Sequence, residues 1–149
     1  MDYIKELKDY ITNIKPEDKI ALIYHGFCGD GVCSAIITLK SIERMINRKP
    51  DLIIHQPSVK FTKEYLKKLV DNKITCTIFV DLMLNKSIDI IEEAKKTIKI
   101  LIMDHHDFKE DFNSNNLLFI HAALYNKSIP DNFYPASKLT YDLFSKIIS

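Results

Sequence analysis

The sequence has no hydrophobic run that approaches the ~18 residues needed to cross a membrane. It has no apolar leader either, because its first ten residues, MDYIKELKDY, are charged where a secretory signal would be hydrophobic. These two absences argue against a membrane as a partner and predict a cytoplasmic protein.

Cysteine is scarce. Cys28, Cys33 and Cys76 make an odd number and contain no CxxC pair. This composition excludes a disulfide scaffold and a zinc finger, and it predicts free thiols in a reducing compartment.

A strong excess of one charge is also absent. The 149 residues include 21 lysines and arginines against 20 acidic residues, which gives a net charge of +1. A surface that coats a polyanion is therefore excluded, and any contact with nucleic acid must come from a local cluster.

The sequence does contain two hydrophobic patterns that alternate along one expected domain, residues 1–149. Helical spacing and short apolar runs follow each other, and the runs are continuous enough to be buried strands. The expected helices cover 2–14, 32–46, 61–70, 87–96 and 134–148, and the expected strands 20–24, 52–54, 75–80, 98–103 and 116–120. We predict an α/β fold: a Rossmann-like, mostly parallel sheet of about five strands with helices on both faces.

Acids and imidazoles follow three of these strands. The segment HGFCGDG comes after the first strand, DLMLN after the third and DHHDF after the fourth. Ligands of such sheets bind at the carboxyl ends of the strands, so these side chains are expected to converge there. Carboxylate with imidazole suits Mn²⁺, Mg²⁺ or Zn²⁺. The expected cluster is Asp30, Asp81, Asp104, His105 and His106.

Each part of this pattern also has a simpler explanation. A single acid after a strand, such as Asp30 or Asp81, is often only a helix N-cap. The segment GDGVCSAI is equally a turn that glycine permits, although the same turn aims backbone N–H groups at an anion. Two adjacent histidines point in different directions, so one can bind a metal while the other faces a phosphate. The DHHD segment is the strongest single indication of function.

Four segments resemble, in order and spacing, the DHH phosphoesterase superfamily, and most closely its archaeal RecJ-like exonucleases. They are GDGVCSA at 29–35, FVDLML at 79–84, MDHHDF at 103–108 and YPASKLTYDLF at 134–144. The resemblance implies two divalent ions, usually Mn²⁺ and otherwise Mg²⁺, that activate water against a phosphodiester or phosphoanhydride. It also suggests work in DNA repair or replication.

The resemblance assigns roles by position. Asp81 matches the bridging metal ligand, Asp30 the last acid of the first motif, and His105 an imidazole ligand. Asp104 would orient His105 and belongs to the expected metal set, while His106 would meet the phosphate. The expected catalytic residues are Asp30, Asp81, His105 and His106, and the expected substrate contacts are His106, Gly31 and Ser34.

The chain departs from the family pattern in two places. Cys28 stands where the first motif normally has an acid, and His25 is one position out of register for the leading ligand. Whether His25 and Cys28 replace the missing ligands stays open, so one or two ions are expected. The fourth-motif acid and the C-terminal substrate-binding domain are not found up to Ser149. A second polypeptide is expected to supply them.

Three functions follow from these observations. The first is part of a nuclease that acts on single-stranded nucleic acid, either DNA or short RNA, and this is the preferred interpretation because a scaffold has no need for all five polar residues. The second is a non-catalytic scaffold that binds a replication protein of the GINS type. The third is a pyrophosphatase-like hydrolase of a small phosphate compound.

Overall fold

Five parallel strands form one sheet in the computed structural model, which describes residues 1–57, 60–108, 110–130 and 134–149. The strand order is β2-β1-β3-β4-β5, and every pair of neighbours is parallel. The strands are β1 Ile20–His25, β2 Leu52–Gln56, β3 Cys76–Val80, β4 Lys99–Asp104 and β5 Leu117–His121. The predicted α/β fold class is confirmed.

Helices cover both faces of this sheet. They are α1 Tyr3–Thr12, α2 Gly29–Ile46, α3 Lys63–Asp71, α4 Ile88–Ala94, α5 Ala122–Tyr125 and α6 Ala136–Ile148, with a 3₁₀ turn at Leu84–Ser87. Helices α1, α2 and α6 pack on one face, and α3 and α4 contribute to the core of the other. None of the helices in the described part of the chain is long and apolar enough to cross a bilayer.

The register of the strands explains why both faces are hydrophobic. Successive side chains of a strand point to opposite faces. Paired residues Leu22 and Ile78 belong to the core beneath α1, α2 and α6, whereas their neighbours Ile23 and Phe79 belong to the opposite core. All four are buried, which is why the strands are continuous apolar runs rather than alternating ones.

The start of α2 and the cap of α4 differ from the sequence-based expectation. Helix α2 begins at Gly29, earlier than Val32, so Asp30 lies in its first turn. Ser87 precedes α4 as predicted, but its side chain is buried in the 3₁₀ turn that leads into the helix and makes no capping hydrogen bond.

The order in which the chain adds strands to the sheet changes direction at β1. From β1 the chain proceeds to β2 on one side, and it then returns to place β3 on the other side of β1. The carboxyl ends of β1 and β3 therefore border a topological switch point, which is where ligands of open parallel sheets bind.

Candidate metal centre

Asp81, the first residue after β3, lies at the centre of the cluster. Its φ of 57° is left-handed, a conformation that Asp and Asn tolerate better than most other residues. Only 1% of its surface is exposed. Its Oδ1 lies 3.1 Å from His105 Nε2, and its Oδ2 accepts a hydrogen bond from Cys28 Sγ at 3.1 Å. The two oxygens of one buried carboxylate thus face two different groups of side chains.

The first group comes from the end of β1 and the start of α2. His25, Cys28 and Asp81 each offer one ligand atom, and these atoms all lie within 4.8 Å of one another. The Cys28 Sγ is 3.4 Å from His25 Nδ1 and accepts a hydrogen bond from the Gly31 N–H at 3.4 Å. The structure therefore brings His25 to Cys28 although His25 is out of register in the sequence motif.

Gly31 allows the first turn of α2 to approach this group closely. A Cβ at this position would lie 1.9 Å from the His25 carbonyl oxygen and 3.0 Å from Asp81 Oδ2. Because the first of these neighbours is backbone, a side chain could be accommodated only by moving α2 away from β1. Gly31 supports the site by its lack of a side chain.

The second group follows β4. Asp81, His105 and His106 also place ligand atoms within 4.8 Å of one another. His105 Nε2 lies 3.2 Å from Asp30 Oδ2 as well as 3.1 Å from Asp81 Oδ1, and His106 Nδ1 lies 4.0 Å from the same Asp81 oxygen. The same imidazole nitrogen, Nε2 of His105, therefore contacts the carboxylates of both Asp30 and Asp81.

Asp104 differs from its expected role. Its Oδ1 accepts a 2.6 Å hydrogen bond from His106 Nδ1, so it orients the second histidine and not His105. Asp104 is itself 5% exposed, because it is the last residue of a buried strand. The adjacent histidines thus have different acidic partners, Asp81 for His105 and Asp104 for His106.

Asp30 and Ser34 also take positions that the motif did not indicate. The Asp30 carboxylate accepts hydrogen bonds from the N–H groups of Ala136 and Ser137, at 2.9 and 2.7 Å, and so caps α6. Ser34 is fully buried, and its hydroxyl donates to the Asp30 carbonyl at 2.7 Å. Ser34 therefore stabilises the first turn of α2, whereas the sequence predicted that it contacts a substrate.

His121, the last residue of β5, is a member of the site that the sequence analysis missed. It is 1% exposed, its Nε2 contacts the carbonyl oxygen of His106, and its Nδ1 accepts a hydrogen bond from the Ala123 N–H at 3.0 Å. These bonds hold the backbone of the DHH segment. The rule that singled out polar residues at strand ends applies to His121 equally, so the sequence did contain the signal.

The protonation of the cluster is set by these contacts. Burial alone would raise the pKa of Asp81, but the hydrogen bonds from His105 and Cys28 outweigh it and lower the pKa. Hydrogen bonds to Asp81 and Asp104 raise the pKa of His105 and His106 respectively. Burial raises the pKa of the Cys28 thiol. The lowered pKa keeps Asp81 ionised, and the protons of its hydrogen bonds come from the Cys28 thiol and the His105 imidazole.

A divalent cation fits this arrangement because it can replace those protons. Metal ligands must be deprotonated, and the cluster offers sulfur, imidazole nitrogen and carboxylate oxygen around one buried anion. The group at His25 and Cys28 is the softer one and favours borderline metals such as Zn²⁺, whereas the oxygen and nitrogen donors near His105 also suit Mn²⁺.

The fold and the site together define a parallel α/β protein with a cluster of side chains that could hold metal ions at its switch point. Residues 19–146 match the DHH family, N-terminal domain. The chain therefore belongs to the DHH family. No curated protein sequence matches the chain significantly.

Solved structures of similar fold agree with this assignment. The exonuclease RecJ bound to manganese has a TM-score of 0.72 at 12% identity, and covers 97% of this chain. A DHH domain of a member of the s1p family of ribosomal proteins has a TM-score of 0.70 at 13% identity, and an exopolyphosphatase-related protein from Bacteroides fragilis 0.61 at 15%, each with 97% of this chain covered. The chain spans 37%, 39% and 43% of these three proteins. At these identities the likeness concerns the fold.

Proposed function

We propose that this chain is the DHH domain of a metal-dependent phosphoesterase of the RecJ-like type, which hydrolyses phosphodiester bonds of single-stranded DNA or short RNA. The observation that carries the proposal is the position of Asp81. Each of its oxygens faces a separate group of metal-ligating atoms, as a carboxylate that bridges two ions would require.

Two cation positions follow from these groups. His25, Cys28 and Asp81 would hold one ion, and Asp81 and His105 the other. The Asp30 carboxylate, 3.2 Å from His105 Nε2, would add an oxygen to the second ion, which leaves His106 for the substrate. Mn²⁺, or Mg²⁺, is the expected cofactor by family resemblance, and RecJ supports it because that exonuclease was solved with manganese. When bound, such ions lower the pKa of water, clamp phosphate oxygens and neutralise developing charge.

The protein's own residues would position the phosphate beside the ions. His106 is held by Asp104 through a short hydrogen bond and keeps 22% of its side chain exposed, so it can donate a proton or hydrogen bond to an anion. Helix α2 starts between the two groups, and the positive end of its dipole favours a phosphate at the same place. These features support an anionic substrate.

The rest of the catalytic assembly is proposed to lie outside this chain. The chain spans less than half of each of the three similar structures, which supports a partner polypeptide that carries a substrate domain and a further metal-ligating acid. A nucleophilic water needs both an activating ion and a substrate held in line. We therefore expect the 149-residue chain alone to cleave slowly or not at all.

The test is a cleavage assay with Mn²⁺ on 5′-labelled single-stranded DNA, a short RNA and inorganic pyrophosphate. The chain is assayed alone and with a candidate partner that carries a further metal-ligating acid and a substrate domain. Cleavage of nucleic acid by the assembly, lost in Asp81→Asn and kept in Glu17→Gln, supports the proposal. Glu17 is a suitable control because it is an exposed acid in the loop that precedes β1, at the other end of the sheet.

Two outcomes would favour other functions. Hydrolysis of pyrophosphate alone would assign the site to phosphoanhydrides, as the structural similarity to an exopolyphosphatase-related protein allows. A stable complex that cuts none of the three substrates would indicate a scaffold, for which a replication protein of the GINS type is the expected partner.

A further inference from the structure

An exposed aromatic ring stands beside the proposed metal centre. Phe27 lies between β1 and α2 and is 73% exposed. It occupies the short loop between His25 and Cys28, both members of the first ligand group. Because consecutive Cα atoms are 3.8 Å apart, the Cα of Phe27 lies within about 8 Å of both ligand residues. An exposed phenyl ring gains free energy when a ligand covers it, and this ring lies beside the site.

Phe27 is part of a small aromatic layer. Its ring meets the ring of His55, on β2, edge to face, with centroids 5.1 Å apart and an interplanar angle of 89°. The His55 ring in turn stacks on Tyr24, at 5.8 Å and 21°. We call Phe27, His55 and Tyr24 the aromatic layer. The contact with His55 limits the movement of Phe27 and leaves most of the phenyl ring open to solvent.

Gly26 provides the space that this layer needs. A Cβ at Gly26 would lie 1.9 Å from the ring of His55. Any side chain there would force His55 to move and would remove the support beneath Phe27. The glycine therefore permits the loop that carries two metal-ligating residues to rest against an aromatic ring.

We propose that Phe27, supported by His55, is a stacking surface for a base of the nucleotide whose phosphate lies at the metal centre. The inference rests on the proposed function and adds to it a contact with the base of the substrate, which inorganic polyphosphate lacks. Stacking binds any base, because every base has a π face, and it supplies affinity that does not depend on charge. This suits a chain whose net charge is only +1.

The test measures binding of a 5′-phosphorylated dinucleotide that contains 2-aminopurine, whose fluorescence falls when it stacks, in the presence of Mn²⁺. Phe27→Ala should weaken binding about 5- to 150-fold, the range measured when an aromatic stacking partner of a base is replaced by alanine. Phe27→Trp should retain the affinity and the quenching. Tyr141→Ala is the matched control, because Tyr141 is an aromatic residue of α6 that is 62% exposed.

A dinucleotide without bases distinguishes stacking from damage to the loop. This probe should bind the native protein and Phe27→Ala equally. Equal weakening of both probes would overturn the inference, because the substitution would then act through His25 and Cys28. Unchanged binding of the 2-aminopurine probe to Phe27→Ala, or no Mn²⁺-dependent binding to the native protein, would also overturn it.

The same measurements separate this inference from the proposed function. If binding requires Mn²⁺ and is lost in Asp81→Asn but is unaffected in Phe27→Ala, the metal centre stands and the stacking surface fails. If the dinucleotide binds equally with and without Mn²⁺ and in Asp81→Asn, the proposed function fails, and the stacking surface at the metal centre fails with it.

Discussion

Replacement of Asp81 by Asn should abolish the stabilisation of the protein by Mn²⁺. The substitution preserves the size of the side chain and is compatible with the left-handed φ of 57°, which Asn also tolerates. Alanine would instead add backbone strain of roughly 1–2 kcal/mol and confuse the result. The amide removes the negative charge that both ligand groups share, so neither ion should remain bound.

The size of the effect follows from mass action. An ion present at 100 times its Kd stabilises the native state by about 2.7 kcal/mol. Each kcal/mol raises the melting temperature of a domain of this size by about 2–4 °C, so each occupied site should contribute about 5–11 °C. Native protein should show one or two such increments, and Asp81→Asn should show none.

Differential scanning calorimetry across a Mn²⁺ titration measures this shift. Cys28→Ser should remove only the part of the rise in melting temperature that comes from the ion at His25 and Cys28. Serine is a good N-cap, so α2 should remain intact. His105→Ala should remove the part that comes from the ion at His105. Glu17→Gln should behave as the native protein. An undiminished shift in Asp81→Asn would refute the bridging role, because the ion would then be bound elsewhere.

Three further predictions concern pH, packing and support of the site. The raised pKa values of His105 and His106 mean that, without metal, their contribution to stability is complete below about pH 6.5, the ordinary pKa of histidine, and is lost as pH rises through the folded-state pKa. The increase in melting temperature caused by Mn²⁺ should instead become larger as the pH rises, because the ion needs deprotonated imidazoles. An increase that is independent of pH would argue against histidine ligands. Gly31→Ala should destabilise the protein by about 1–3 kcal/mol in urea unfolding, because its Cβ would collide with the backbone of His25. Gly29→Ala should not destabilise it, because a Cβ at that position meets open space. Equal effects of the two substitutions would disprove the close approach of α2. His121→Ala should weaken Mn²⁺ binding in calorimetric titration by about 10- to 100-fold, as is typical when a residue that supports metal ligands is lost, and unchanged affinity would show that the DHH segment holds its shape without it.

Several features of the fold were predictable because they depend on local patterns. Continuous apolar runs indicated buried parallel strands, and four of the predicted strands match the observed ones to within one residue at each end. The second, predicted at 52–54, extends to Gln56, because its last residues carry polar side chains that the apolar run did not include. The partner of Asp104 was predicted wrongly, because side-chain directions in a two-histidine segment depend on neighbours from other strands.

The sequence by itself determined which residue types stand at the strand ends, and hence that acids and imidazoles gather at one edge of the sheet. The position of the apolar runs along the chain is sufficient for this prediction, since it identifies the strands, and the carboxyl ends of parallel strands all lie at the same edge of the sheet. Only the tertiary structure decided which side chains meet. Contacts between Asp30 and α6, or between Cys28 and Asp81, join residues 106 and 53 positions apart. Their distances depend on strand order, on the left-handed turn at Asp81 and on the packing of α2 at Gly31, and no local pattern encodes such distances.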